Sequence, residues 1–195
     1  MPHHPPGPDL VGARTAAHAL AMAPFAFQGA RAARDLGVLA ALRVDGGCTR
    51  VDVASTTRLA DTSVDVLLDA CLAVGLVAEI TPGRWQLTTV GEVWVRDRQV
   101  AIDADFVHAV CWDGLRELTP SLQAGEPLGL RHFGHWPTVY EGLAELPEAV
   151  RQPWFAYDHQ HSDAAFPDAI TVRASTRSTS SITRCRSRLD RTSCG

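Results

Sequence analysis

The chain has 195 residues, 46% of them hydrophobic, enough for one packed domain or for a small domain and the start of another. Its formal charge of −4 is unevenly spread: residues 171–195 hold six of the 18 basic residues (all arginine) and one of the 22 acids, so residues 1–170 hold 12 against 21 and stand at −9. An acidic body of this kind disfavours nucleic acid and anionic membranes as partners, and five widely spaced cysteines without a CxxC pair argue against a disulfide or zinc framework and for a reducing, cytoplasmic setting.

Residues 1–9 are rich in Pro and His and are expected to be disordered. They lack a basic n-region, and the mildly apolar stretch 16–27 contains His18 and Pro24, so neither a signal peptide nor a membrane span is expected. From Asp9 the chain turns Ala-rich and helical, and Pro24 is expected to kink or break the helix. A second helical stretch runs from Phe25 to Leu42. Ala32, Ala33, Leu36, Leu39 and Leu42 form its apolar stripe, and Asp45-Gly46-Gly47 ends it. This Ala-rich region suits a partner surface or an intramolecular core, and periodicity does not separate the two.

Thr49 with Asp52, and Thr62 with Asp65, fit capping boxes that open two short helices at about 50–58 and 63–74. On the second, Val64, Leu67, Leu68, Cys71 and Leu72 share one face, which should be buried, and Gly75 closes the helix. "LVAEI" and "RWQL" read as strands, joined by Thr81-Pro82-Gly83-Arg84 with Pro and Gly where a type II turn wants them. Thr89 with Glu92 reads as a further capping box. Helices followed by a β-hairpin give the order of a winged helix.

The stretch "ADTSVDVLLDACLAVGLVAEITPGRWQLTTVGEVWV" resembles the N-terminal winged-helix dimerisation domain of small-molecule O-methyltransferases that use S-adenosylmethionine. The resemblance is carried by a leucine-rich helix, a "GLV" strand, a "GRWQLT" strand and a T-x-x-G helix start, and it covers about residues 10–99. It implies a dimer, either of two identical chains or with a full-length homologue. Winged helices also serve transcriptional regulators, so fold alone does not settle function. A regulator would present basic side chains to phosphates. Here "TSVDVLLDACLAVG" has no basic residue and two acids, Asp65 and Asp69, and only Arg84 sits in the wing turn. A free-standing dimerisation module is the other alternative.

Residues 100–124 read as one long helix with Phe106, Val107, Val110, Gly114, Leu118 and Leu122 along one side, ended by "AGEPLG". Two or three short helices follow. "FVHAVCWDGL", "WPTVYEGLAELPE" and "DHQHSDAAFPDA" extend the resemblance to about Ala169, as a helical bridge over 100–170 that in the family leads to the catalytic domain and helps line the acceptor pocket. On that basis Trp154, Phe155, Tyr157, Asp158, His159 and Ser162 are the substrate-pocket candidates, an aromatic wall with a few polar groups; core packing and solvated surface are the bland alternatives. His159 and His161 differ by two and point apart on a helix, so no metal site is assigned. His132 and His135 are placed in a loop, and the body cysteines are read as small buried hydrophobes.

After "FPDAI" the family continues into a strand and a glycine-rich turn that approaches the cofactor. No such turn, and none of the family's catalytic histidine context, occurs in these 195 residues. No catalytic or cofactor-binding residue is therefore assigned, S-adenosylmethionine is expected only in full-length relatives, and the chain alone is expected to be inactive. In its place, 17 of residues 171–195 are Ser, Thr or Arg. A disordered tail, an RNA-binding arm, a phosphorylatable linker and an out-of-frame translation all fit this composition; the abruptness of the change favours the last. The overall expectation is a mainly α protein: winged helix, helical bridge, and no Rossmann-like domain.

Overall fold

The computed structural model describes residues 9–163. The expectations for residues 1–8, for the end of the bridge and for the tail lie outside the described residues. The described chain is mainly helical with one small antiparallel sheet, as expected. It forms two compact units, divided between Ala101 and Ile102.

The first unit opens with α1, Leu10–Asp35. Asp9 caps it, its carboxylate accepting from the Val11 and Gly12 amides at 3.2 and 3.3 Å. Pro24 does not break this helix. Proline removes one amide donor, and residues around it are exposed, so water can satisfy the carbonyl left unpaired. The break comes instead at Gly37, whose φ of 79° only glycine adopts without strain. The short α2, Val38–Ala41, restarts there in a new phase. Leu39 and Leu42 are consequently buried, whereas Leu36, from the same expected stripe, is half exposed.

Next come β1 (Cys48–Thr49), α3 (Arg50–Thr57), α4 (Asp61–Ala73), β2 (Val77–Thr81), β3 (Arg84–Leu87) and α5 (Thr89–Arg96). The sheet order is β1-β3-β2. Cys48 faces Trp85 and Val77 faces Leu87, with an irregularity between Glu79 and Thr81. Gly83, at φ 76°, makes the tight hairpin turn, and the Glu79 carboxylate accepts its amide at 2.5 Å.

Of the three expected capping boxes, the first forms as read. Thr49 Oγ1 accepts from the Asp52 amide at 3.2 Å, and the Asp52 carboxylate accepts from the Thr49 amide at 2.9 Å. The Thr49 hydroxyl, donating to the Asp52 carboxylate at 2.7 Å, and then the Thr49 amide hold the Asp52 carboxyl below the usual range. The box at Thr62 and Asp65 does not form. The helix starts two residues earlier, after Ala60 and without a side-chain cap, and Asp65 takes a 2.7 Å ion pair from Arg50 instead.

The third cap belongs to Thr88, not Thr89. Thr88 Oγ1 accepts from the Gly91 amide at 3.1 Å and donates to the Gly75 carbonyl at 2.6 Å. Gly91 is pressed on Leu76: a Cβ at position 91 would lie 2.1 Å from the Leu76 carbonyl oxygen. The T-x-x-G pattern is thus a steric joint that docks α5 on the end of β2.

The core gathers Ala30 and Ala33 of α1, Val38 and Leu39 of α2, Val53 of α3, and Val64, Leu67, Leu68 and Cys71 of α4, with Leu76 and Val77. Leu72, expected on the same face, is 45% exposed. Small residues let α1 and α4 approach closely, and a Cβ at Gly29 would fall 2.7 Å from that of Ala70. Trp94 of α5 ties back to α1, donating to the Ala30 carbonyl at 3.3 Å and meeting Phe27 edge-on.

The single long helix expected over 100–124 is broken into several pieces. α6, Arg98–Phe106, passes into a π-helical turn, Val107–Cys111, then a 3-10 turn, Gly114–Glu117, and α7, Leu118–Ala124. Two local causes are visible. Pro120 has no amide to return to the Arg116 carbonyl. Gly114 lies backbone to backbone with Gly129, where a Cβ would come within 2.8 Å of the Gly114 oxygen. The rest of the second unit is a 3-10 turn (Leu128–His132), α8 (Val139–Gly142) and α9 (Glu148–Asp163).

Two outcomes test this packing. Gly91→Ala should destabilise the protein by about 3 kcal/mol in denaturant titrations, because the Leu76 carbonyl cannot yield. Burial pushes the Cys71 thiol up to about 11, above its unfolded value of about 8.5. The neutral thiol therefore contributes stability that is complete below the unfolded value and lost as pH rises through the folded one. The gap in denaturation midpoint between Cys71→Val and the wild type should shift in favour of the variant across that alkaline window.

Candidate functional site

Three features stand out on the described surface. The first is α1. From Leu10 to Phe25 every residue is exposed, and the large side chains of Leu10, Val11, Leu20, Met22 and Phe25 touch solvent. They point to several sides of the helix rather than forming one stripe. Arg14 is the only Lys, Arg, Asp or Glu among these 16 residues. A helix apolar on several sides is normally enclosed, and most helical stability in proteins comes from tertiary packing, of which this half has little.

The second is α9, which carries all six pocket candidates. Trp154 faces inward and is buried, meeting Tyr140 and Phe155 edge-on at 5.7 and 5.1 Å. Phe155 is 40% exposed and lies one turn from His159, ring to ring at 6.3 Å. Tyr157 stacks on Phe106 with ring centres 3.9 Å apart, and His161 tilts against it at 4.3 Å. Ser162 Oγ donates to the Asp158 carbonyl at 2.6 Å. The helix thus separates the candidates: Trp154 packs inward, Tyr157 sits in a ring stack, and Phe155 and His159 share an outer edge. His161 Nε2 lies 2.9 Å from Asp103 Oδ1, which also accepts from Gln160 at 3.2 Å. The two histidines therefore diverge, as their spacing requires, and among the described residues no three His, Cys, Asp or Glu side chains gather as a metal would need.

The third feature is a cavity of about 330 Å³ inside the second unit. Val110 and Cys111 of the π-helical turn, Leu115, Leu118, Leu130 and Phe133 form most of its wall, and none of the six α9 candidates reaches it. Burial pushes the Cys111 thiol up. Val110, Gly114 and Leu118 stood on the apolar side read from the sequence, but the fold back of Gly129, Leu130 and Phe133 onto them carries no periodic signal.

Charges around the hairpin are engaged internally. Arg84 donates to the Gly46 and Gly47 carbonyls at 3.0 and 2.6 Å, and Arg50 pairs with Asp65. Among the described residues, no helix is long and apolar enough to cross a membrane.

Comparison with known proteins accords with the resemblance read from the sequence. Residues 14–85, from within α1 to β3, match the family model of the Dimerisation2-like domain. The chain is 29% identical over 154 residues to an L-tyrosine C(3)-methyltransferase of Streptomyces lavendulae, covering 75% of this chain and 41% of that protein. Among solved structures it is similar to the S-adenosylmethionine-dependent methyltransferase SibL, with 25% identity and a TM-score of 0.65 over 78% of this chain and 45% of that one. It shares its fold with the mitomycin 7-O-methyltransferase MmcR, at 20% identity and a TM-score of 0.60, covering 75% and 43%. The chain therefore spans less than half the length of these relatives.

The α9 geometry separates inward from outward residues, and their substitution should follow it. Trp154→Ala should cost about 3 kcal/mol in denaturant unfolding, whereas Phe155→Ala should cost about 1 kcal/mol or less. Equal losses would show that Phe155 is not on an outer edge.

Proposed function

We propose that these residues form the dimerisation region of an S-adenosylmethionine-dependent methyltransferase, pairing with a second copy of the chain or with a full-length homologue. The observation that carries this is the uncovered half of α1. Its side chains present apolar surface on more than one side, which a partner helix pair would enclose. The match of residues 14–85 to a dimerisation family begins within the same helix.

The residues described do not fit the cofactor. A dinucleotide-type site uses the carboxyl ends of parallel strands and a glycine-rich turn, whereas the sheet here is three short antiparallel strands. No catalytic step is assigned to this chain, and S-adenosylmethionine is proposed to serve the catalytic part of full-length relatives. In such a protein the outer edge of α9, with Phe155, Asp158 and His159, would form part of the wall facing a small-molecule acceptor. The relatives' names include both a carbon and an oxygen methylation, so the acceptor atom is not part of the proposal. A cytoplasmic setting accords with the free thiols of Cys48, Cys71 and Cys111.

The regulator alternative fares worse on electrostatics. The helix that would enter a groove, α4, carries Asp61, Asp65 and Asp69 and no basic residue, and Arg84 and Arg50 are committed to internal partners. Neither duplex DNA nor a membrane is proposed as a partner.

Light scattering of the full chain should give twice the chain mass, and Leu20→Glu with Phe25→Glu should reduce it to the monomer without loss of the α4 core. A wild-type monomer at micromolar concentration would refute pairing with a second copy, and a monomer that also fails to co-elute with a full-length homologue would refute the proposal. Calorimetry with S-adenosylmethionine should show no binding heat, and a salt-sensitive shift of duplex DNA would revive the regulator.

A further inference from the structure

Pro24 stands at the border between the two halves of α1. On its N-terminal side every residue from Leu10 to Ala23 is exposed. On its C-terminal side the helix is clamped. Phe27, less than one turn past the proline, meets the ring of Trp94 edge-on. Gly29 lies against Ala70, and the Ala30 carbonyl accepts from Trp94 at 3.3 Å.

A helix held at one end needs no new nucleus to grow, and each residue it adds gains a hydrogen bond. The arm suits such growth, since six of the 14 residues Leu10–Ala23 are alanine. Pro24 stands in the way. It has no amide to give the Leu20 carbonyl, its ring crowds that carbonyl, and it turns Ala23 away from helical backbone angles. Relative to alanine, a proline inside a helix weights the equilibrium against continuation by about two powers of ten. Order in the packed half is therefore not handed on to the arm. The arm has its own start in the Asp9 cap on the Val11 and Gly12 amides. Its length, however, is in the range of about 12–15 residues where a helix alone in water is marginal.

We propose that Pro24 is a folding stop. It uncouples the arm Leu10–Ala23 from the core, so that a partner surface, and not the packed half of α1, decides whether the arm is helical. The unbroken α1 is the form that a partner holds. Such coupling reduces affinity by the fraction of chains whose arm is already helical. Association thereby stays reversible, and the arm can exchange between a second copy and a longer homologue. That use of the stop rests on the dimer proposal; the stop itself does not.

The test uses the full chain as its Leu20→Glu, Phe25→Glu monomer, with helical fraction read residue by residue from Cα chemical shifts. Helical shifts should run from Asp35 back to within a turn of Pro24 and fall away before it. Adding Pro24→Ala should raise the helical fraction of residues 14–22 about threefold or more, with the shifts of α4 unchanged. Adding Ala17→Pro to that variant should carry the border back by about two turns. In the otherwise wild-type chain, Pro24→Ala should tighten self-association about tenfold in sedimentation equilibrium. An arm as helical as the packed half in the monomer, a helical fraction that Pro24→Ala leaves unchanged, or a border that stays put when the proline moves would each overturn the stop. Pairing no tighter in Pro24→Ala than in the wild type would overturn its use in assembly. A wild-type chain that never pairs would remove the dimer proposal and that use with it, while the shifts of the monomer still decide the stop.

Discussion

The first unit depends on how closely α1 and α4 approach. Gly29 against Ala70 leaves no room for another methyl group. That closeness lets Ala30 and Ala33 join Leu67, Leu68 and Cys71 in one core. With the C-terminal half of α1 fixed by this contact, α2 is turned in at Gly37 and α5 is drawn back through Trp94 to the Ala30 carbonyl. The same arrangement leaves the N-terminal half of α1 with nothing from its own unit to pack on.

The T-x-x-G joint plays the corresponding part at the far end of the sheet. Thr88 satisfies an amide of α5 and donates to a carbonyl at the end of the α4–β2 loop, while Gly91 provides the clearance. Cap, strand and helix are thereby coupled through one residue pair. A motif of this kind reads as family identity in a sequence; in the structure its content is hydrogen bonding and a missing Cβ.

Much of the first unit was legible because its signals are local. Thr49 and Asp52 satisfy each other within one helical turn, the α4 face repeats at helical spacing, and Pro82-Gly83 makes its own turn. The errors arise where a neighbour decides. Asp65 looked like part of a cap but Arg50, fifteen residues away, claims it. Pro24 looked like a break but sits where solvent covers the missing bond. The second unit was harder to read, because its helix is interrupted by a close approach to Gly129, which no periodicity encodes. Of the α9 candidates, the aromatic character was evident, but which rings point inward was set by Phe106 and Tyr140, partners lying 14 to 51 residues away along the chain.

The uncovered half of α1 has a thermodynamic consequence. Ordering each backbone residue costs about 1–2 kcal/mol, and from Leu10 to Phe25 no residue is buried to offset it. In a chain that pairs through this arm, as proposed, helical order and assembly would be one equilibrium, governed by mass action. Dilution would then melt the arm before it touched the core beneath, and the helical signal in the far ultraviolet would become a function of how much protein is in the tube.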